Sequence, residues 1–182
     1  MRITIAGKIG SGKSTVSKYL AEKFHLKRYG MGDMMRQMAL DRGMTIAELN
    51  KAGEKEEWTD RQVDEYQKKL AKEDNFIIDG RLSWHFIPDS IKVFLTVNSF
   101  VGAQRVMKDK RRSEKGYKSI EEAKKADEER VKSDVKRYKN LYGIDPYKIE
   151  NYDIIIDTSD MSMDEMDIAV ERAILRFIED NK

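Results

Sequence analysis

Near the amino end, Gly7-Lys8-Ile9-Gly10-Ser11-Gly12-Lys13-Ser14 sets glycine, lysine and hydroxyl at the spacing G-x-x-x-x-G-K-[ST]. The chemistry of that spacing is phosphate binding. Glycines let the backbone curl so that successive N–H groups converge on phosphate oxygens, the lysine reaches the terminal phosphates, and the hydroxyl can ligate Mg²⁺. Lys13 and Ser14 fill the last two positions, and Thr15 extends the segment. A glycine-rich turn that only links strand to helix would share the glycines. The context favours the functional reading: Ile3-Thr4-Ile5-Ala6 reads as a strand before the loop. Val16, Tyr19, Leu20 and Phe24 form the apolar side of a helix after it. That helix, starting near Lys13, adds its positive end to the same anion. A nucleoside triphosphate is the expected ligand.

Further charged residues stand at the ends of apolar runs. Gly30-Met31-Gly32-Asp33 leads to Arg36 one turn later, and Phe76-Ile77-Ile78 closes on Asp79-Gly80-Arg81. In an open parallel sheet, ligands bind outside the carboxyl ends of the strands. Arg36 and Arg81 could be surface ion-pair partners. Beside a phosphate loop they fit better as guanidinium forks for a second anion. Asp79 stands where a carboxylate commonly holds Mg²⁺, directly or through water, although an aspartate before glycine can also cap a turn. Arg130, Asp134 and Arg137, at i, i+4 and i+7, share one helix face. Spacing alone leaves open whether they form a site or a surface ion-pair row.

The elements that must position these groups follow from periodicity. Short apolar runs at 2–6, 27–31, 75–79, 92–97 and 152–157 predict five buried strands. Helical patterns fill 13–24, 32–42, 45–53, 59–74, 98–110, 119–141 and 162–180. Strands alternating with helices predict an α/β fold, a five-stranded parallel sheet with helices on both faces. Ser119 with Glu122, and Ser162 with Glu165, read as capping boxes. The last helix has an expected apolar side of Met166, Ile168, Ala169, Ala173, Ile174, Phe177 and Ile178. The two prolines, Pro88 and Pro146, fall in connections.

At 182 residues the chain suits one domain, 1–182, with small inserts. Lys and Arg number 35 against 33 Asp and Glu, so a net +2 offers no argument for nucleic-acid binding. The crowded charges between Lys108 and Arg137 read mostly as a solvated helix. Cysteine is absent, which excludes disulfides and thiolate metal sites. No leader pattern and no apolar run long enough for a membrane span is seen, so a soluble cytoplasmic protein is expected.

With these residues in view, the chain resembles the short-form, archaeal-type cytidylate kinases among the nucleoside monophosphate kinases. The likeness rests on Gly32-Asp33 with Arg36, on Asp79-Gly80-Arg81, and on Ile87-Pro88-Asp89-Ser90 leading into Lys92-Val93-Phe94-Leu95. It continues through Ala103-Gln104-Arg105, the Arg130/Asp134/Arg137 triplet, Tyr142-Gly143-Ile144-Asp145 and Ile156-Asp157-Thr158-Ser159. The phosphate loop is common to many families; the Arg-x3-Asp-x2-Arg spacing followed by Tyr-Gly-Ile-Asp is much more particular.

The resemblance implies a phosphate-loop kinase fold with an acceptor-binding flap near 33–62 and a lid near 109–118 carrying Arg111 and Arg112. It implies ATP held by Gly7, Lys8, Ile9, Gly10, Ser11, Gly12, Lys13, Ser14 and Thr15, and Mg²⁺ by Ser14 and Asp79. Asp33, Arg36, Gly80, Arg81, Arg130, Asp134 and Arg137 would bind the acceptor nucleotide, CMP or dCMP, with Asp134 at its sugar. Lys13, Arg130 and Arg137 would be catalytic, and Thr158-Ser159 would lie near the adenine. The implied partners are nucleotide substrates acting on a monomer, without nucleic acid or membrane.

Departures from the family pattern are the Lys8-Ile9 pair in the loop, Asp79 in place of Glu, and Leu82-Ser83-Trp84-His85, where His85 reads as structural. Acceptors carrying uracil or adenine, or a small hydroxy acid, remain alternatives within the kinases. A nucleotide-dependent switch is the alternative from another class. A GTPase would need Asp-x-x-Gly, which is absent, and Asn50-Lys51-Ala52-Gly53 lacks the guanine-binding aspartate.

Overall fold

Runs such as Phe76-Ile77-Ile78 have no polar face to offer water, so they must be covered on both sides, and all three residues are fully buried. The computed structural model describes residues 1–45, 48–49, 52, 58–109 and 117–182. Its strands are β1 (Arg2–Gly7), β2 (Lys27–Gly30), β3 (Phe76–Asp79), β4 (Ile91–Thr96) and β5 (Ile154–Asp157). They form one sheet in the order β2-β3-β1-β4-β5. Every pairing is parallel, with Ile5 opposite both Asp79 and Val93. The expected α/β sheet is therefore present, with strand ends within two residues of those read from sequence.

The helices are α1 (Lys13–Lys23), α2 (Met31–Leu40), α3 (Trp58–Leu70), α4 (Ser83–Phe86), α5 (Ser99–Lys108), α6 (Ile120–Tyr142) and α7 (Met163–Asp180). Odd-numbered Ile3, Ile5, Ile77, Val93 and Leu95 face α1 and α7, meeting Val16, Leu20, Met166, Val170 and Ile174. Phe76 and Ile78 point the other way, to Met31, Leu70 and Ile87. This alternation is the strand period of two, with an apolar layer on each face.

Three points depart from the sequence reading. The helix α4 was not anticipated, because four residues give no 3.6-residue pattern to read. On α7, Ile168 is 46% exposed while Val170 is fully buried. The buried stripe runs Met166, Val170, Ile174 at i, i+4, i+8, and Ile168 lies roughly 200° around the helix from Met166. Both serines accept from the amide three residues on, but only Ser162 and Glu165 close the reciprocal box; the Glu122 carboxylate takes the Lys118 N–H instead, at 2.7 Å. The helix expected over 45–53 and the lid arginines Arg111 and Arg112 fall wholly or largely outside the described residues.

Candidate active site

β1 ends in the glycine loop because backbone, not side chains, must approach its neighbours there. Gly10 has φ +77°, and a Cβ built on it would lie 2.3 Å from the Gly102 carbonyl oxygen on α5. Only glycine fits that approach. Ser11 donates to the Lys8 carbonyl at 2.8 Å, tightening the curl. Lys13 Nζ donates to the carbonyls of Gly7 at 2.9 Å and Lys8 at 2.6 Å, so the ammonium lies across the loop. The first turn of α1 has neither an acidic residue nor a side-chain cap, leaving its amide end suited to an anion.

The loop is braced from the carboxyl-terminal part of the chain. Thr158 is fully buried, and its single hydroxyl proton is shared between the carbonyls of Ser11 at 3.2 Å and Thr96 at 3.1 Å. Arg105 on α5 donates to the Gly10 carbonyl at 3.4 Å, the Thr158 carbonyl at 2.7 Å and the Met161 carbonyl at 2.9 Å. The Thr158 side chain thus faces the loop backbone, whereas Ser159 turns to Asp157 and to the Asn98 amide.

Asp79 closes β3 beneath the first turns of α1. Its Oδ2 accepts from Ser17 Oγ at 2.9 Å and from the Arg28 guanidinium at 2.5 Å. Burial pushes the Asp79 carboxyl above its ordinary value, opposed by Arg28, Ser17 and Lys13. Arg28 reaches on to Asp33 at 3.4 Å, and Asp33 is also paired with Arg36.

The second cluster centres on Asp134. On one oxygen this buried carboxylate forms an ion pair with Arg81 Nε at 2.9 Å and accepts from the Tyr147 hydroxyl at 2.9 Å. Arg137 approaches the other oxygen at 3.3 Å and lies over the Tyr138 ring. Asp127, two turns earlier on α6, sits among Arg81, Lys13, Arg130 and Lys8. Burial raises its carboxyl above the usual range, against the pull of those four cations.

Lys13 after β1, Arg81 after β3, and Arg130, Asp134 and Arg137 of α6 are therefore gathered from two strand ends and one helix into one basin. Arg36 and Asp33 stand in an adjoining cluster, joined to the basin through Arg28 and Asp79. Gly80, whose N–H bonds the Ile5 carbonyl at 3.0 Å, links the two. Sequence reading missed Ser17, Arg28, Asp127 and Tyr147. Periodicity could have flagged two of them, since Ser17 follows Ser14 by three and Asp127 precedes Arg130 by three on the same faces. Ser14 and Asp79 offer a hydroxyl and a carboxylate, the hard oxygen donors suited to Mg²⁺ that arrives with phosphates and water. Such a basin can hold two polyanions against their mutual repulsion.

A family described as cytidylate kinase-like matches residues 2–160. A cytidylate kinase of Pyrococcus horikoshii is 40% identical over 173 residues, covering 94% of this chain and 87% of that protein. One from Methanothrix thermoacetophila is 36% identical over 158 residues, covering 87% of this chain and 88% of that protein. Among solved structures, a shikimate kinase of Bacteroides thetaiotaomicron superposes with a TM-score of 0.67 at 18% identity. It spans 98% of both chains, a likeness of fold.

Proposed function

Since the chain belongs to the cytidylate kinase-like family, we infer that it transfers the γ-phosphate of ATP to CMP or dCMP, giving ADP and CDP or dCDP. The observation that carries this reading is the convergence of Lys13, Arg81, Arg130 and Arg137 on one basin, around Asp127 and Asp134. Phosphoryl transfer asks a protein chiefly for positioning and charge neutralisation. The loop amides and Lys13 would hold the donor's phosphates. Ser14 and Asp79 would hold Mg²⁺, which supplies further neutralisation of the phosphate oxygens when bound. Asp79 would act through Oδ1, because Oδ2 is engaged by Ser17 and Arg28.

On the acceptor side, Arg36 and Arg81 would grip the nucleotide's phosphate, with Asp33 and Gly80 bordering that pocket. Arg130 and Arg137 would neutralise the group in flight. Asp134 is engaged by Arg81, Arg137 and Tyr147, so any contact it makes to the acceptor sugar requires one of those partners to yield. No general base is needed, because the acceptor phosphate is itself an anionic nucleophile. Residues 33–62 and 109–118, with Arg111 and Arg112, complete the proposal as flap and lid that exclude water.

The test is a coupled ADP-release assay with CMP, dCMP, UMP, dUMP and AMP as acceptors. CMP and dCMP should give the highest kcat/KM, and ADP release without an acceptor should be negligible. Equal, acceptor-independent release would favour the switch reading instead. In the same assay, Arg130→Ala and Arg137→Ala should each lower kcat by about 10³-fold, leaving ATP affinity nearly unchanged. Wild-type turnover in both would remove the catalytic assignment.

A further inference from the structure

Five arginines reach the site, and four of them, Arg28, Arg36, Arg81 and Arg137, are paired in this structure with aspartates of the chain itself. Two of those aspartates are buried: Asp79 and Asp134 have side chains only 8% and 3% exposed. Asp33 differs, with a side chain 56% exposed. Its Oδ2 meets both terminal nitrogens of Arg28, at 3.4 and 3.5 Å, and its Oδ1 pairs with Arg36. One carboxylate thus carries two guanidinium forks, the ligand set that grips a phosphate monoester.

The backbone makes room for this arrangement. A Cβ on Gly30 would lie 2.5 Å from Asp33 Oδ2 and 3.0 Å from an Arg28 nitrogen. An aspartate in the first turn of a helix ordinarily bonds backbone amides. Here α2 has no side-chain cap at Gly30, and the bonds of Asp33 run to the two arginines. The carboxylate is aimed at the guanidinium groups.

We propose that Asp33 is an internal stand-in for the acceptor's phosphate, holding Arg28 and Arg36 in place until a phosphate monoester displaces it. The proposal rests on the kinase reading for the identity of that monoester, but its physical core is anion exchange at Arg28 and Arg36. A phosphate dianion carries twice the charge of a carboxylate and adds oxygens for both forks, and the amide end of α2 lies beside it. The carboxylate leaves readily because it is exposed, whereas Asp79 remains buried to orient Arg28. Every anion entering must first outcompete Asp33. An acceptor nucleotide meets that requirement with contacts from its sugar and base, and free phosphate has none. Asp33 is therefore a specificity-determining residue acting against bare phosphate, and Arg28 becomes a phosphate ligand that sequence reading did not identify.

The experiment titrates inorganic phosphate calorimetrically into the wild type, Asp33→Asn, Arg36→Gln and the double variant. Losing the internal anion should tighten phosphate binding in Asp33→Asn by roughly two- to thirtyfold, the range two exposed ion pairs can supply. In the Arg36→Gln background the gain should shrink, because one of the two forks is gone. Unchanged or weaker phosphate binding in Asp33→Asn overturns the proposal. So does an equal gain with and without Arg36, which would mean a diffuse change in field. The same four proteins are assayed for CMP-dependent ADP release. Absence of turnover in the wild type would sink the kinase reading while leaving the phosphate titration decisive for Asp33.

Discussion

Replacing Lys13 by alanine is expected to lower kcat by about 10² to 10³-fold or more while the protein stays folded. The ammonium lies across the loop, bonded to the Gly7 and Lys8 carbonyls. On the proposed donor-site reading it would reach the terminal phosphates by a side-chain rotation alone, and no other cation of the loop has that placement. Lys8, the other lysine there, is exposed and precedes the curl. The structural cost is small. Two partly exposed bonds from a charged donor contribute roughly 1 to 3 kcal/mol, a melting shift of about 2 to 12 °C for a chain this size. A circular-dichroism melt and the coupled assay on one preparation separate the two effects. Full activity in Lys13→Ala would end the donor-site assignment.

The second large effect is structural. Asp134→Ala should destabilise the fold by about 3 to 5 kcal/mol, because it strands the guanidinium groups of Arg81 and Arg137 in a largely buried place. The corresponding fall in melting temperature is roughly 6 to 20 °C. Asp134→Asn, which keeps the volume, should lose less stability yet still lose activity, since the arginines are no longer drawn to one point. Inorganic phosphate offers a discriminating control. If the loss arises from stranded cations, added phosphate should bridge them and recover part of the melting temperature in Asp134→Ala more than in the wild type. A variant that melts with the wild type would show that the Arg81–Asp134–Arg137 cluster is not a structural hub.

The local parts of the design were legible from the chain alone. The loop is a single eight-residue segment, and Lys13, Ser14 and the glycines carry their chemistry within it. Buried parallel strands announce themselves as unbroken apolar runs such as Phe76-Ile77-Ile78. What escaped was made by folding. Arg28 lies in Lys27-Arg28-Tyr29-Gly30, which forms the edge strand β2, and its charge looks like that of any solvated edge. Nothing in sequence says that its guanidinium turns inward to Asp79. Tyr147 belongs to a proline-containing connection and meets Asp134 only because the chain doubles back after Gly143, whose φ is +72°. The face shared by Arg130, Asp134 and Arg137 was visible, but whether it met solvent or a site was decided by the packing of α6 over the strand ends.

The bonds from Arg105 and Thr158 to the loop carry a mechanical consequence. They tie residues 10 and 11 to residues 158 and 161, nearly the whole chain length apart. The glycine loop near one terminus is thus fastened by struts rooted near the other. Until β5 and the turn after it have docked, the glycine segment lacks these long-range struts and is held only by the local bonds of Ser11 and Lys13. A nascent chain stopped short of that turn would already own every residue of the motif and still lack that bracing.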